Sequence, residues 1–181
     1  MTTFDYWVWP DFFSNKEVKQ LNNIVKKYKN KDLVLEKAEE AKKTSTVYQV
    51  QYNYIKNNLE KLIDNVHFIN ERHFGYNLFE IQNPMLNYNI YNKNSEYEWH
   101  RDGSNVHTFD IKLTLLINIS VNKYEGGDFS FFNSAHKQTI NDFSKSGDAI
   151  IFKSHCLHKI SPVIEGKRES LTMFLTGPKF V

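Results

Sequence analysis

The clearest pattern in the chain is an alternation of apolar and mostly polar residues that begins at Ile111 and ends at Ser120. A period of two is typical of a β-strand with one buried face. This stretch therefore predicts a strand, and it is the longest of a series that occupies the chain after residue 75. The other runs that predict extended segments are 74–81, 84–91, 97–103, 128–132, 147–152, 157–163 and 169–175.

The first part of the chain shows helical spacing. Ser14 and Glu17 have the Ser-x-x-Glu form of a capping box, and apolar residues then recur at intervals of three and four. These signals predict a helix from about Asn15 to Lys29, and similar spacing predicts a second helix over about 52–72. Strands are expected at 6–9 and 46–50, whereas for 31–43 a short solvated helix and a mobile loop are both open.

Two helices followed by many short strands indicate a mainly β chain of the α+β class. Short strands separated by turns favour a double-sheet jelly roll or a related barrel, with the helices packed on one outer face. A length of 181 residues with 40% hydrophobic content suffices for one core. We therefore expect a single domain over 1–181, with a helical support at 1–75 and a β core at 76–181.

Charge and cysteine content exclude several classes. The 23 Lys and Arg residues nearly balance the 21 Asp and Glu residues, so nothing global indicates nucleic acid or a membrane surface as a partner. Cys156 is the single cysteine, which excludes an internal disulfide and fits a reducing compartment. With no signal sequence and no long apolar run, a soluble cytoplasmic protein is expected, in the host cytoplasm if a phage encodes it. The oligomeric state is left open.

Candidate chemistry centres on His100 and Asp102. On an extended segment, side chains at positions i and i+2 share a face, so this imidazole and this carboxylate can converge on one point. A later strand can bring His158 to the same point. Two histidines and one carboxylate that leave open positions suit non-haem Fe(II) used for oxygen chemistry.

His155 competes with His158 for the third position. If the strand begins near Leu157, His155 lies in the preceding loop, and rigid elements hold ligands more accurately than loops do. We therefore favour His158. The remaining four histidines are interpreted as surface or structural residues: His67, His73, His107 and His136.

Arg168 and Ser170 follow His158 at the start of the last predicted strand, and they share one face if that strand is regular. A guanidinium can hold a carboxylate through two parallel charge-assisted hydrogen bonds, and a hydroxyl can add a third. A surface arginine in the turn that begins at Gly166 is an equal alternative on spacing alone.

Five motifs appear in order in the second half of the chain: Tyr97-x-x-His100-x-Asp102, Tyr124-Glu125-Gly126-Gly127-Asp128-Phe129, Gly147-Asp148-x-x-x-Phe152-x-Ser154, His158-x-x-x-Pro162-Val163 and Gly166-x-Arg168-x-Ser170. Together they resemble the Fe(II)/2-oxoglutarate-dependent dioxygenases of the prolyl 4-hydroxylase type. The resemblance is strongest to the small bacterial and phage branch, which includes the PKHD-type hydroxylases. It covers about Ile81 to Phe180.

The resemblance implies a double-stranded β-helix, that is, a cupin-like jelly roll. It implies Fe(II), 2-oxoglutarate as cosubstrate and O2, and it allows ascorbate as a reductant. Arg168 would bind the distal carboxylate of 2-oxoglutarate with Ser170 beside it, Tyr91 would contact the cosubstrate, and Thr114 matches a position that does so in some relatives. The implied metal ligands are His100, Asp102 and His158.

Two positions depart from the family pattern: Phe174 stands where many relatives carry Trp, and Ile111-Lys112 replaces a usual Arg-Lys pair. Asp102 sets the chain apart from the halogenating relatives, which lack this carboxylate. The implied reaction hydroxylates a substrate carbon, with a peptidyl proline as the leading substrate and succinate and CO2 as co-products. A free amino acid, another small molecule or a nucleobase is the alternative within the same chemistry.

Two rivals come from other classes: a non-catalytic cupin-like metal- or ligand-binding module, and a metal-dependent hydrolase. Neither explains a carboxylate clamp at Arg168.

Overall fold

The computed structural model describes residues 4–30, 42–82, 84–104, 106–108, 110–133 and 136–179. Helices and strands alternate in the first part of the chain, and strands alone follow. The helices are α1 (Asn15–Tyr28) and α2 (Lys56–Ile69), with a 3-10 turn at Tyr52–Tyr54 before α2 and a π-helical turn at Asn70–Phe74 after it. The strands are β1 (Tyr6–Trp9), β2 (Thr46–Gln51), β3 (Met85–Tyr91), β4 (Tyr97–His100), β5 (Ile111–Asn118), β6 (Glu125–Gly126), β7 (Phe129–Asn133), β8 (His136–Thr139), β9 (Ala149–Lys153), β10 (His158–Ile160), β11 (Val163–Glu165) and β12 (Arg168–Thr176).

The strands form two main antiparallel sheets. One has six strands in the order β1-β9-β5-β12-β3-β2, and the other has four in the order β4-β10-β7-β8. Strands β11 and β6 form a separate two-stranded pair. Apolar side chains from both main sheets share one core, so the sheets face each other as the predicted jelly roll requires. The predicted fold class is confirmed.

The six-stranded sheet is covered on both faces. Its outer face packs against α1 and α2, where Leu113 and Leu115 of β5 join the helical side chains in one core. Its inner face packs against the four-stranded sheet, where Leu116 of β5 meets Phe129 and Phe131 of β7. The alternation in the sequence predicts one buried face for β5, but all eight of its residues are buried. The helices account for the second buried face.

Local signals explain where α1 begins. The side chain of Ser14 caps the backbone N–H of Glu17 at 3.4 Å, and the Glu17 carboxylate accepts from the N–H of Ser14 at 2.8 Å. This is the predicted capping box. Buried Asn22 then donates from Nδ2 to the carbonyl of Ile119 at 3.0 Å, which anchors the helix at the end of β5.

Two expectations about secondary structure were wrong, and one strand was not predicted. The second helix is not continuous over 52–72, because a 3-10 turn and a π-helical turn flank α2. Residues 74–81 are not a strand: Gly75 ends the π-helical turn in the left-handed region. In the residues that follow, Phe79 N donates to Thr176 O of β12 at 2.8 Å. The sequence also missed β8, an exposed strand without any apolar residue.

Most of the ambiguous segment 31–43 lies outside the described residues. Its visible end runs antiparallel to β4, with bonds from Glu98 N to Lys42 O at 2.9 Å and from Thr44 N to Glu96 O at 3.0 Å. In the described ranges, neither helix has the length and apolar content needed to cross a membrane.

Candidate active site

The two candidate histidine ligands are direct partners across the β4–β10 pair, where His158 lies opposite His100. The sequence predicts Asp102 on the same extended segment as His100. Strand β4 instead ends at His100, so Asp102 lies just beyond the strand. A carbonyl replaces the missing strand pairing: Ser154 O accepts from the N–H of Asp102 at 2.9 Å and from that of Gly103 at 3.3 Å. The carboxylate therefore still faces both histidines.

The three side chains converge on one point. Asp102 Oδ1 lies 3.6 Å from His100 Nε2, and Asp102 Oδ2 lies 3.6 Å from His158 Nε2. One ligand atom from each residue lies within 4.8 Å of the others. The structure thus brings together the predicted triad from β4, the residues after it, and β10.

Each histidine is oriented by a backbone carbonyl. His100 Nδ1 lies 2.7 Å from Glu98 O, and His158 Nδ1 lies 2.9 Å from Cys156 O. A carbonyl oxygen can only accept, so in each neutral ring the proton belongs on Nδ1. The lone pair of each Nε2 then points towards Asp102, as in metal sites where the second ring nitrogen fixes the tautomer.

Burial favours the neutral form of the His100 imidazole. Burial, together with the smaller effect of the nearby His158, lowers the pKa of His100 to about 2. Two nitrogen lone pairs and a carboxylate therefore face one another at distances too long for hydrogen bonds. Lone pairs in this arrangement repel unless a cation lies between them, and two imidazoles with one carboxylate suit Fe(II). The donor set fits the expected metal.

His155 lies outside this group. It is exposed in the loop before β10, and its carbonyl accepts a hydrogen bond from Arg101 Nε at 2.9 Å. The structure therefore places His158, and not His155, beside His100 and Asp102.

A cavity of about 230 Å³ leads from the triad to Arg168. Its wall is formed by residues at alternate positions of two paired strands, because alternate side chains on a strand share a face. The register places Arg168 opposite Tyr91 and Ser170 opposite Asn89. Among the predicted cosubstrate residues, Arg168, Ser170 and Tyr91 line this cavity.

Arg168 is buried, with 2% of its surface exposed, so the alternative of a surface arginine is wrong. Its Nη1 donates to Ser170 Oγ at 3.1 Å, and its guanidinium carbon lies 5.4 Å from the centre of the Tyr91 ring. In the described part of the chain, no carboxylate approaches it within 4.0 Å. A buried charge without a counter-charge is costly, so this cavity is suited to a carboxylate ligand.

Thr114 has a different partner from the one that the resemblance implies. Its Oγ1 lies 2.7 Å from Asp102 Oδ2, and the residue does not line the cavity. Sequence reasoning also missed the stacking of Tyr97 on His100, with ring centres 3.4 Å apart. The same is true of the polar wall at Asn89, whose Nδ2 donates to Thr172 Oγ1 at 3.0 Å. This wall could have been predicted from strand alternation, because the residues two and four positions from Tyr91 and Arg168 share their faces.

The comparisons with known proteins agree with this geometry. The sequence model of the 2OG-Fe(II) oxygenase superfamily matches residues 86–176. A PKHD-type hydroxylase of Xylella fastidiosa (strain 9a5c) is 31% identical over 93 residues, which cover 45% of this chain and 39% of that protein. The chain therefore spans well under half the length of this curated relative.

Solved structures share the fold. A Pseudomonas putida prolyl-4-hydroxylase has a TM-score of 0.70 at 14% identity, over 97% of this chain and 94% of the other. The viral collagen prolyl hydroxylase of Paramecium Bursaria Chlorella virus-1 has a TM-score of 0.65 at 18% identity, over 97% of both chains. At these identities the likeness concerns the fold alone. Because the family model covers half of the sequence, including the triad and Arg168, the chain belongs to the 2OG-Fe(II) oxygenase superfamily.

Proposed function

We propose that this chain is an Fe(II)- and 2-oxoglutarate-dependent dioxygenase that hydroxylates a substrate carbon and releases succinate and CO2. One observation carries the proposal: the triad lines the same cavity as the buried Arg168, which has no carboxylate partner among the described residues. A site that only bound a metal would have no use for a buried guanidinium. A hydrolytic metal site would leave it equally unexplained.

Each residue has a role in this proposal. His100, Asp102 and His158 hold the metal from one side, which leaves positions for the cosubstrate and oxygen. Arg168 and Ser170 bind the distal carboxylate of 2-oxoglutarate, and Tyr91 packs beside the guanidinium. The bound iron, together with the 2-oxo acid and O2, supplies the oxidising chemistry, as cofactors do in general.

Apolar rings protect the metal side of the cavity. Phe129 and Phe152 are almost fully buried, and their ring centres lie 5.6 Å and 4.7 Å from that of His158. They keep water away from the back of this ligand and hold its ring in place. A dry, rigid environment strengthens the electrostatic interactions within the site.

A peptidyl proline is the proposed substrate. The Pseudomonas putida structure is named a prolyl-4-hydroxylase, and a prolyl hydroxylase from Trichoplax adhaerens, with a TM-score of 0.69 at 13% identity, is named in complex with a peptide fragment. The same chemistry on a free amino acid, another small molecule or a nucleobase is the alternative. The proposal includes a single domain over 1–181 and a cytoplasmic location, which the single cysteine, Cys156, supports.

The deciding experiment is an anaerobic titration with Fe(II) and 2-oxoglutarate, followed by exposure to oxygen and measurement of succinate. Proline-containing peptides, free proline and buffer alone form three arms. Succinate above the level of a metal-free control supports the dioxygenase. Stimulation by peptides alone supports peptidyl proline, and protein that binds iron and 2-oxoglutarate but forms no succinate would establish the non-catalytic binding module instead.

A further inference from the structure

The hydroxyl of Thr114 contacts Asp102, the candidate carboxylate ligand. It lies on β5, is 1% exposed, and its Oγ1 is 2.7 Å from Asp102 Oδ2. A carboxylate can only accept, so the threonine hydroxyl is the donor. This short bond to a charged acceptor is of the stronger kind, and it holds one of the two oxygens in a fixed direction.

The backbone of Asp102 is fixed separately. Ser154 O accepts from its N–H, and Ser154 is itself bound to the start of β5 through its N–H to Lys112 O at 3.0 Å and its Oγ to Ile111 O at 2.6 Å. Asp102 therefore lies beyond β4 but is held by β5 at two points, directly through Thr114 and indirectly through Ser154. The rotation of the Asp102 carboxylate about its Cβ–Cγ bond therefore depends on Thr114.

That rotation matters because the two oxygens are placed alike. Oδ1 is as far from His100 Nε2 as Oδ2 is from His158 Nε2, 3.6 Å in each case. Among the described residues, no donor lies within hydrogen-bonding distance of Oδ1, whereas Oδ2 accepts a hydrogen bond from Thr114. The hydroxyl thus makes the oxygens unequal and leaves Oδ1 as the available ligand atom.

We propose that Thr114 is a positioning residue that holds Oδ2 of Asp102 away from the metal, so that the carboxylate binds through Oδ1 alone. The inference rests on the proposed function. An octahedral ion with three protein ligand atoms keeps three positions, and a chelating 2-oxo acid with O2 needs all three. A second carboxylate oxygen on the metal would occupy one of them.

The test compares Thr114→Val with Thr114→Ser. Valine keeps the shape and removes the donor, whereas serine keeps the donor. The control is Thr176→Val, which lies on the neighbouring strand of the sheet, β12, and outside the cavity. Three quantities are measured without oxygen: Fe(II) affinity, 2-oxoglutarate affinity of the Fe(II) form, and the visible absorption band of the Fe(II)–2-oxoglutarate complex.

We expect Thr114→Val to weaken 2-oxoglutarate binding to the Fe(II) form by about tenfold to a hundredfold and to shift the absorption band, as changes behind metal ligands commonly do. Thr114→Ser restores both, and Thr176→Val changes neither. If valine prevents folding, as circular dichroism would show, Thr114→Ala replaces it, because alanine also removes the donor.

Wild-type behaviour of a folded valine or alanine variant overturns the inference, and so does a serine variant that fails to restore the band. Failure of the wild-type chain to bind Fe(II) overturns it as well. These readouts need no turnover, so wild-type protein that binds both ligands without forming succinate would refute the dioxygenase and leave the role of Thr114 supported.

Discussion

Arg168 and Tyr91 face each other as direct partners across the β12–β3 pair, with the guanidinium carbon 5.4 Å from the centre of the phenol ring. The phenol ring and the hydroxyl of Ser170 hold the guanidinium in one orientation inside the cavity. In the proposed function, this fixed cation is the part of the site that separates an oxygenase from a simple metal-binding protein. It also offers the most direct test of how the cosubstrate binds.

Substitution of Arg168 is expected to weaken 2-oxoglutarate binding without loss of iron. Arg168→Ala should raise the KM for 2-oxoglutarate by about tenfold to a hundredfold, because a charge-assisted hydrogen bond contributes about 1.5–3 kcal/mol. Arg168→Lys should fall between wild type and alanine, since lysine keeps the charge but not the two parallel donors. Succinate formation gives the KM, and anaerobic titration gives the Fe(II) affinity. An equal loss of both affinities would contradict this assignment.

The two neighbouring histidines should behave differently. His158→Ala removes a nitrogen of the triad and is expected to lower Fe(II) affinity by more than about a hundredfold, because two remaining protein ligands hold the ion poorly. His155→Ala removes an exposed side chain outside the triad and should leave affinity nearly unchanged. Equilibrium dialysis measures both. The opposite result would transfer the ligand role to His155.

Alanine substitutions at Gly127 and Gly75 separate the effect of backbone strain from the effect of displacing Arg168. Gly127 has φ +65°, and an added Cβ would lie 2.9 Å from Arg168 Cδ; Gly75 has φ +70° and open space around it. Alanine at either position should destabilise the fold by about 1–2 kcal/mol, since the left-handed region disfavours a Cβ. Only Gly127→Ala should also raise the KM for 2-oxoglutarate. Thermal unfolding and succinate kinetics measure the two effects, and a raised KM in Gly75→Ala would contradict this explanation.

Glu169 makes stability depend on pH. Burial alone raises its pKa, but the hydroxyl of Tyr88 and the Lys26 ammonium, 3.2 Å away, bring the pKa below its ordinary value of 4.5. The charged form therefore stabilises the folded state above that value, and the contribution is lost as pH falls through the lowered pKa. Glu169→Gln should be less stable than wild type by about 1–3 kcal/mol at pH 7.

The difference between wild type and Glu169→Gln should shrink below pH 4.5, the ordinary value from which the pKa is lowered. Urea unfolding at neutral and acidic pH measures it. Glu165→Gln, an exposed change on β11, is the control and should alter stability little at either pH. A difference between wild type and Glu169→Gln that stays constant with pH would show that the carboxylate charge is unimportant.

The sequence was sufficient where a signal is local. The capping box at Ser14 marked the start of α1, the alternation after Ile111 marked β5, and the start of β10 separated His158 from His155. Each of these depends on residues a few positions apart. His100 and Asp102 could be paired for the same reason, because they are two residues apart. His158 is distant in the sequence, and its place beside them depended on a later strand returning to the same point.

Features that depend on register across strands could not be predicted in this way. Arg168 lies opposite Tyr91 only because β12 pairs with β3, which is 77 residues away in the sequence at this pair, and no local pattern shows whether the arginine is buried. The bond between Thr114 and Asp102 likewise joins β5 to a residue beyond a strand end. Strand β8 was missed because an exposed strand needs no apolar alternation.

Both faces of β5 are buried, and this has a practical consequence for any shortened version of the protein. The segment that matches the family model, 86–176, contains the triad and Arg168 but neither helix. Expressed alone, it would present Leu113, Leu115, Ile117, Leu171 and Met173 to water as a continuous apolar sheet face. We expect such a fragment to aggregate, and its catalytic competence therefore depends on helices that contribute no ligand.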